Sequence, residues 1–209
     1  MRAALVVVIA ALSLVACTSE ADPPATSGAS APVIVPGRPG EPARTVAPDV
    51  AATLVPTATA NAADVTYVQD MVVHHRQALE MASLAPTRGE HVRLKSLASR
   101  IADSQGPEIQ FMISWLQQQG LRAPAHHARH GSMPGMATPE QLAALRAASG
   151  KEFDRLFIKL MTAHHLGALT MSEKVLVSGA HQRVEELAND VSVGQAAEIR
   201  RMREMEAEL

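Results

Sequence analysis

Aromatic side chains make up only 2% of this 209-residue chain: three Phe, one Tyr and one Trp. That scarcity disfavours a sandwich or barrel core and fits an Ala- and Leu-rich helical one. Cysteine is nearly absent too, with a single residue, Cys17. One thiol excludes an internal disulfide and any site that needs two thiolates. Neither sign of charge is in excess, since 19 Lys and Arg against 21 Asp and Glu leave a formal net of -2. No polyanionic partner such as nucleic acid is implied. The sequence also lacks a Gly-rich phosphate loop, a Gly-x-Ser-x-Gly elbow and a His-Glu-x-x-His pair, so no nucleotide or organic cofactor is expected. What is plentiful is histidine, with nine residues, and methionine, with ten.

The chain opens on Met1-Arg2 and a largely apolar run of thirteen residues, 3–15. A membrane-spanning helix needs about 20 apolar residues, so this run reads as the core of a signal peptide covering residues 1–16. It ends in Leu14-Val15-Ala16-Cys17, which resembles a bacterial lipobox. The resemblance implies cleavage before Cys17 and its lipidation, giving an exported chain anchored to the membrane by lipid. The alternative is an ordinary secretory signal with a stray cysteine near its end. Residues 17–63 are rich in Pro, Ala and Thr, with prolines at 23, 24, 32, 36, 39, 42, 48 and 56. Prolines at that density break helix and strand alike, and the segment reads as a disordered spacer.

From Asp64 onward the sequence repeats itself at a shift of 90. Met71, His74, His75, Ala78, Leu79 and Met81 recur as Met161, His164, His165, Ala168, Leu169 and Met171. The register continues without a gap through Gly89/Gly179, His91/His181, Arg93/Arg183, Leu97/Leu187, Ala98/Ala188, Gln105/Gln195, Glu108/Glu198, Ile109/Ile199 and Met112/Met202. Fifteen identical pairs in the forty-two positions from 71 to 112 establish a duplication. Each repeat, about 64–119 and 154–209, reads as a helical hairpin. Asp64 and Asp154 are the expected N-caps, and Gly89 and Gly179 the expected turns. Gly106-Pro107 should kink the second helix of the first hairpin. Between the repeats, Thr138-Pro139-Glu140 opens a short helix running to about residue 149. The expected fold is all-α: two hairpins stacked as a four-helix bundle over 64–209, with one short extra helix between the halves.

At 100° per residue, His74, His75, Met71, Met81 and Ala78 fall on one face of the first helix. Their counterparts His164, His165, Met161, Met171 and Ala168 do the same, and this face must turn inward. On the second helix Gln105, Glu108 and Met112 share a face with Leu97 and Ile101, which makes Glu108 and Glu198 candidate buried carboxylates in need of a partner. Three readings remain open from the residues alone. The groups could form a structural His-Glu network, hold a metal ion, or sense protons. Methionine at helical spacing is also ordinary core filler. The inter-repeat loop adds His126, His127, His130, Met133 and Met136 within eleven residues, and imidazole with thioether favours copper, especially Cu(I). A ferritin-type di-iron site wants Glu-x-x-His, whereas Phe111 follows Glu108 and Arg201 follows Glu198 at that spacing, so that site is not expected.

Met-x-x-His-His-x-x-Ala-Leu-x-Met, then Glu-Ile-x-x-Met-x-x-Trp-Leu over 108–116, then Met133-Pro134-Gly135-Met136, then a second Met-x-x-His-His resembles the DUF305 family. The similarity runs over about 64–205. The resemblance implies a ferritin-like helical bundle and export, and some members of the family are periplasmic copper-binding proteins. Carried over by motif, it puts Met71, His74, His75, Met81, Glu108, Met112, Met133, Met136, Met161, His164, His165, Met171, Glu198 and Met202 at stake. One departure is that Arg200 and Arg201 precede Met202 and no Trp-Leu follows Met205. The expectation is therefore an envelope-anchored lipoprotein that binds copper to buffer it or hand it on, without catalysis. An envelope protein partner or a homodimer is compatible with this. The rivals are a non-catalytic interaction bundle and a metal-dependent redox enzyme.

Overall fold

A computed structural model of the chain describes residues 31–37, 40–54, 59–125 and 133–209. Cys17 and the loop histidines His126, His127 and His130 lie outside the described residues. The chain divides into two compact units, Met1–Pro56 and Thr57–Leu209. In the first, strand β1 (Val33–Val35) pairs antiparallel with β2 (Arg44–Val46), with Val33 opposite Val46, and helix α1 (Pro48–Leu54) follows. The stretch expected as spacer thus carries three short elements. They use the β-branched Val33-Ile34-Val35 and Thr45-Val46, and a proline in the first turn of α1 where no backbone donor is needed.

The second unit holds four long helices, α2 (Ala62–Arg88), α3 (Val92–Gln118), α5 (Gly150–Ser178) and α6 (Gln182–Glu206), with the short α4 (Pro139–Ala147) between the halves. Two hairpins, α2–α3 and α5–α6, pack together as a four-helix bundle. Among the described residues no helix is long and apolar enough to cross a membrane. Helix α3 continues without interruption through Gly106-Pro107, so that proline removes one backbone donor without ending the helix.

The caps differ from the sequence expectation. Asn61, not Asp64, is the N-cap of α2, and its Oδ1 accepts from the amides of Ala63 and Asp64 at 2.8 and 3.0 Å. Asp154 lies within α5 behind Ser149. Asp64 closes the capping box by accepting from the Asn61 amide at 2.9 Å, and both aspartates also reach across the bundle. Asp64, 1% exposed, accepts from the amides of Ala180 and His181 in the α5–α6 turn at 3.1 and 3.2 Å. Asp154, 0% exposed, accepts from those of Glu90 and His91 in the α2–α3 turn at 3.2 and 2.8 Å. Each hairpin therefore caps the other one. Gly89 and Gly179 lie at φ -71° and -74°, so no left-handed turn requires glycine there. Proximity does: a Cβ on Gly179 would come 2.5 Å from Asp64 Oδ1, and one on Gly89 3.1 Å from Asp154 Oδ1.

The interior separates into two apolar clusters, each drawn from both hairpins. One gathers Met81, Leu94, Leu97, Ile101, Phe153, Phe157, Met161 and Met202. The other gathers Tyr67, Met71, Val72, Met112, Trp115, Leu116, Leu187 and Val191. Apart from Asp64, Asp154 and Ser172, the buried polar residues of the four long helices lie between the two. They are His74, His75 and Gln77 on α2, Gln105 on α3, His164 and His165 on α5, and Gln195 and Glu198 on α6. A polar layer thus crosses the middle of an otherwise apolar bundle.

Helix α4 breaks the symmetry outside this layer. Its Leu145 is fully buried and its Leu142 partly so, in the cluster with Leu84, Phe153, Leu156 and Leu160, and Arg146 pairs with Glu80. The repeat-related groove keeps an open cavity of about 550 Å³, with Thr66, Asp70 and Lys174 where the covered groove has Leu156, Leu160 and Leu84. Polar substitutions have removed the apolar surface that would hold a covering helix.

Two substitutions test the crossed caps by urea denaturation. Gly179→Ala is expected to lower stability by about 2 kcal/mol, and Gly89→Ala by less because its approach is looser. Asp64→Ala leaves amide donors in the opposite turn unpaired and should cost about 2–4 kcal/mol. A Gly179→Ala variant as stable as wild type would rule out the close approach.

Candidate metal centre

Four imidazoles occupy the polar layer, all fully buried. His75 Nε2 lies 2.6 Å from Glu108 Oε2, and His165 Nε2 lies 2.7 Å from Glu198 Oε2. Each pair joins the two helices of one hairpin, as the repeat requires. A carboxylate only accepts, so with both imidazoles neutral Nε2 carries the proton and Nδ1 the lone pair. His74 and His164 meet across the α2–α5 contact, their ring centroids 3.7 Å apart and tilted by 35°. His74 Nε2 donates to the Pro134 carbonyl at 3.0 Å. The Nδ1 atoms of all four histidines, and Nε2 of His164, have no hydrogen-bond partner among the described residues. The amides of Gln105 and Gln195 in the same layer are likewise unpaired.

Burial first, and the neighbouring His75 second, push His74 down to about 3, with the Pro134 carbonyl opposing. His164 is held well below its ordinary value by burial and then by His74, and the main chain of His74 opposes only weakly, without hydrogen-bond geometry at either ring nitrogen. Both rings are therefore neutral at pH 7 and have basic nitrogens available. Burial also raises the Tyr67 phenol, whose oxygen lies 2.9 Å from Ser172 Oγ. Asp70 is raised by burial too, and Lys174 opposes.

The structure distributes the sequence candidates among three settings. His74, His75, His164, His165, Glu108 and Glu198 share the polar layer, as pairs and not as one cluster. Met71 and Met112 pack in one apolar cluster, and Met81, Met161 and Met202 in the other, where Met202 Sδ accepts from Thr162 Oγ1 at 3.6 Å. Met171 and Met133 line the open cavity, and Met136, three residues on from Met133, is half-buried. Among the described residues no group of three or more His, Cys, Asp or Glu is placed to hold a metal ion. The unpaired Nδ1 atoms of His75 and His165, whose far sides are held by Glu108 and Glu198, are nitrogen donors of the kind that a soft ion taking few ligands accepts. Sequence reasoning missed Gln77 and the Pro134 carbonyl. The signal for both was the Gln77/Gly167 mismatch inside an otherwise matching His-His block.

The neutral histidines make stability depend on pH. An unfolded histidine takes up a proton near 6.5, whereas folded His74 does so only near 3. The unfolded chain therefore binds more protons in between, and the contribution is full above about pH 6.5 and lost as the pH falls toward 3. Each such histidine should add a slope of up to about 1.4 kcal/mol per pH unit in that window. Urea denaturation of the metal-free protein at pH 7, 6 and 5 should show the decline, and His74→Gln should flatten it. Equal slopes in the variant and wild type would refute the assignment.

The family model described as "Domain of unknown function (DUF305)" matches residues 64–206. A DUF305 fragment from Deinococcus radiodurans is 34% identical with a TM-score of 0.66, over 74% of this chain and 100% of that one. A candidate secreted DUF305 protein from Streptomyces coelicolor is 31% identical with a TM-score of 0.65, over 70% of this chain and 93% of that one. CopM in its Cu(I)-bound form is 32% identical with a TM-score of 0.60, over 69% of this chain and 96% of that one. CopM has also been solved in Cu(II)-bound, silver-bound and apo forms. Comparison with curated proteins gives no match. By that sequence match and the shared bundle, the chain belongs to the DUF305 family.

Proposed function

We propose that this protein is a copper-binding lipoprotein of the cell envelope, which buffers the ion or hands it on without catalysis. The observation that carries the reading is the buried layer of His74, His75, His164 and His165, whose Nδ1 atoms have no partner among the described residues while Glu108 and Glu198 hold the opposite nitrogens of His75 and His165. Unpaired buried nitrogens are costly in a protein that never uses them. Neutral imidazoles bind Cu(I) without first losing a proton, so the layer is ready for the ion at neutral pH. CopM, similar over most of its length, has been solved with Cu(I) and Cu(II) bound, which supports copper as the ion. Within the layer, His75 and His165 would be the oriented donors and His74 and His164 the donors at the centre. The thioethers of Met71, Met112, Met161 and Met202 flank the layer in the sequence. A secondary contribution would come from His126, His127, His130, Met133 and Met136. Met81 and Met171 complete the candidate donors. Lipidation of Cys17 would fix the protein to the membrane, consistent with a similar DUF305 protein being described as secreted.

One observation favours the rival of a purely structural network. His75–Glu108 and His165–Glu198 are already hydrogen-bonded at 2.6 and 2.7 Å without any metal. Competition titration with Cu(I), on protein purified without a histidine tag, separates the two. At least one equivalent is expected for the folded wild type, with the affinity reduced tenfold or more in His164→Gln and in His75→Gln. Wild-type binding below one equivalent, or single variants with unchanged affinity and lower stability, would leave the structural network as the reading. In cells, Cys17→Ser should move the protein from the membrane to the soluble fraction. Unchanged membrane association of that variant would refute the lipid anchor.

A further inference from the structure

Residues 133–137 lie across the polar layer in a way that the duplication does not repeat. On α2, Gln77 is 3% exposed and brackets Ala137, its Nε2 donating to the Ala137 carbonyl at 3.0 Å and its Oε1 accepting from the Ala137 amide at 2.7 Å. One turn before Gln77, the Pro134 carbonyl accepts from His74 Nε2 at 3.0 Å. On α5 the same segment presses directly onto backbone. A Cβ on Gly167 would overlap the Pro134 carbonyl, and one on Gly135 would overlap the carbonyl of Ala163. Gly135 also has φ +76°, a conformation that favours glycine. Gln77 and Gly167 occupy equivalent places in the two repeats, as do His74 and His164. The clamp therefore reaches one member of the central pair and leaves the other, His164, without a hydrogen-bond partner at either nitrogen among the described residues.

A neutral imidazole has one donor and one acceptor nitrogen, and in a dry interior its hydrogen bond decides which is which. A carbonyl oxygen only accepts. We infer that Gln77 and Gly167 are positioning residues that, through the 133–137 segment, fix His74 as the Nε2–H tautomer, whereas His164 is left able to adopt either. The central pair is thus inequivalent despite the duplication. His74 offers Nδ1 alone to a bound ion, and His164 can offer Nδ1 or Nε2. The tautomer assignment stands on the geometry of the metal-free chain, and only its consequence for the ion rests on the copper-binding reading.

Imidazole 1H–15N correlation spectra of the full-length, metal-free protein at pH 7 read the tautomers directly. In the wild type, His74 is expected as pure Nε2–H and His164 as a mixture. His75 and His165, held by Glu108 and Glu198, are expected as Nε2–H and serve as internal references. Gln77→Leu removes both bonds to Ala137 at similar volume, and Gly167→Ala adds the atom that meets Pro134. In each, His74 should become mixed while the two references do not change. A mixed or Nδ1–H His74 in the wild type overturns the inference without any variant being needed, and so does an unchanged His74 in both folded variants. Silver(I) titration then tests the consequence, with affinity expected to fall at least threefold in Gln77→Leu at unchanged stoichiometry. An equal affinity would overturn the positioning role. A wild type that binds no silver(I) or copper(I) would overturn the proposed function and leave the tautomer result standing.

Discussion

A carboxylate withdrawn from water needs several hydrogen bonds to offset its lost hydration, and Asp64 and Asp154 each find them in the opposite hairpin. This exchange does more than stabilise two turns. Because Asp64 lies in the first turn of the helix that carries His74 and caps the turn that begins α6, the axial position of α2 is fixed against the second hairpin. Asp154 fixes α5 against the first in the same way. The mid-points of the four helices then fall at one level. The polar layer is a consequence of that register, since a hairpin displaced by one turn would set histidines against leucines. The glycines at 89 and 179 belong to the same constraint, as each is the surface against which an aspartate rests.

Given the register, the layer is arranged to avoid buried charge where it can. His74 and His164 are neutral, and Glu108 and Glu198 retain contact with solvent, with 28% and 10% of their side chains exposed. The carboxylates of the His75–Glu108 and His165–Glu198 pairs therefore avoid the desolvation cost of complete burial. Divergence between the halves is concentrated away from these pairs. Tyr67 bonds Ser172, while the repeat-related positions are the apolar Phe157 and Ala82. Gln77 faces the loop where its counterpart is glycine. The features common to both halves set up the layer, and the differences decide what approaches it.

That division also explains which parts were legible in the sequence. Helical periodicity and the shift of 90 gave the four helices, their inward faces and the level of His74, His75, His164 and His165, because those depend on spacing along one chain. Asp64 and Asp154 were visible as special positions, but their role was assigned locally, as caps of their own helices. Apart from the Asn61 amide, which Asp64 also takes in the capping box of α2, their partners lie 63 to 117 residues away, and spacing carries no information about them. The loop over His74 was unreadable for a related reason: a main-chain carbonyl acceptor leaves no trace in residue identity. What remained visible was the compensation, a Gln on one helix and a Gly on the other. The short strands β1 and β2 were hidden by counting prolines and overlooking the β-branched residues between them.

The same geometry discriminates among ions more sharply than the composition did. Hard divalent ions want several carboxylate or carbonyl oxygens around one point. In this bundle both layer carboxylates are already committed to imidazole Nε2 atoms, on opposite hairpins. What the layer does supply is neutral nitrogen in small numbers, dry, with apolar clusters containing methionine on both sides. Soft monovalent ions are the ones that such surroundings hold against water, because they lose little hydration on entry and take few ligands. A bundle poor in aromatics and with a single cysteine in its chain could therefore still offer a soft-metal site, provided its imidazoles are kept neutral by burial and aimed by acceptors on their far side.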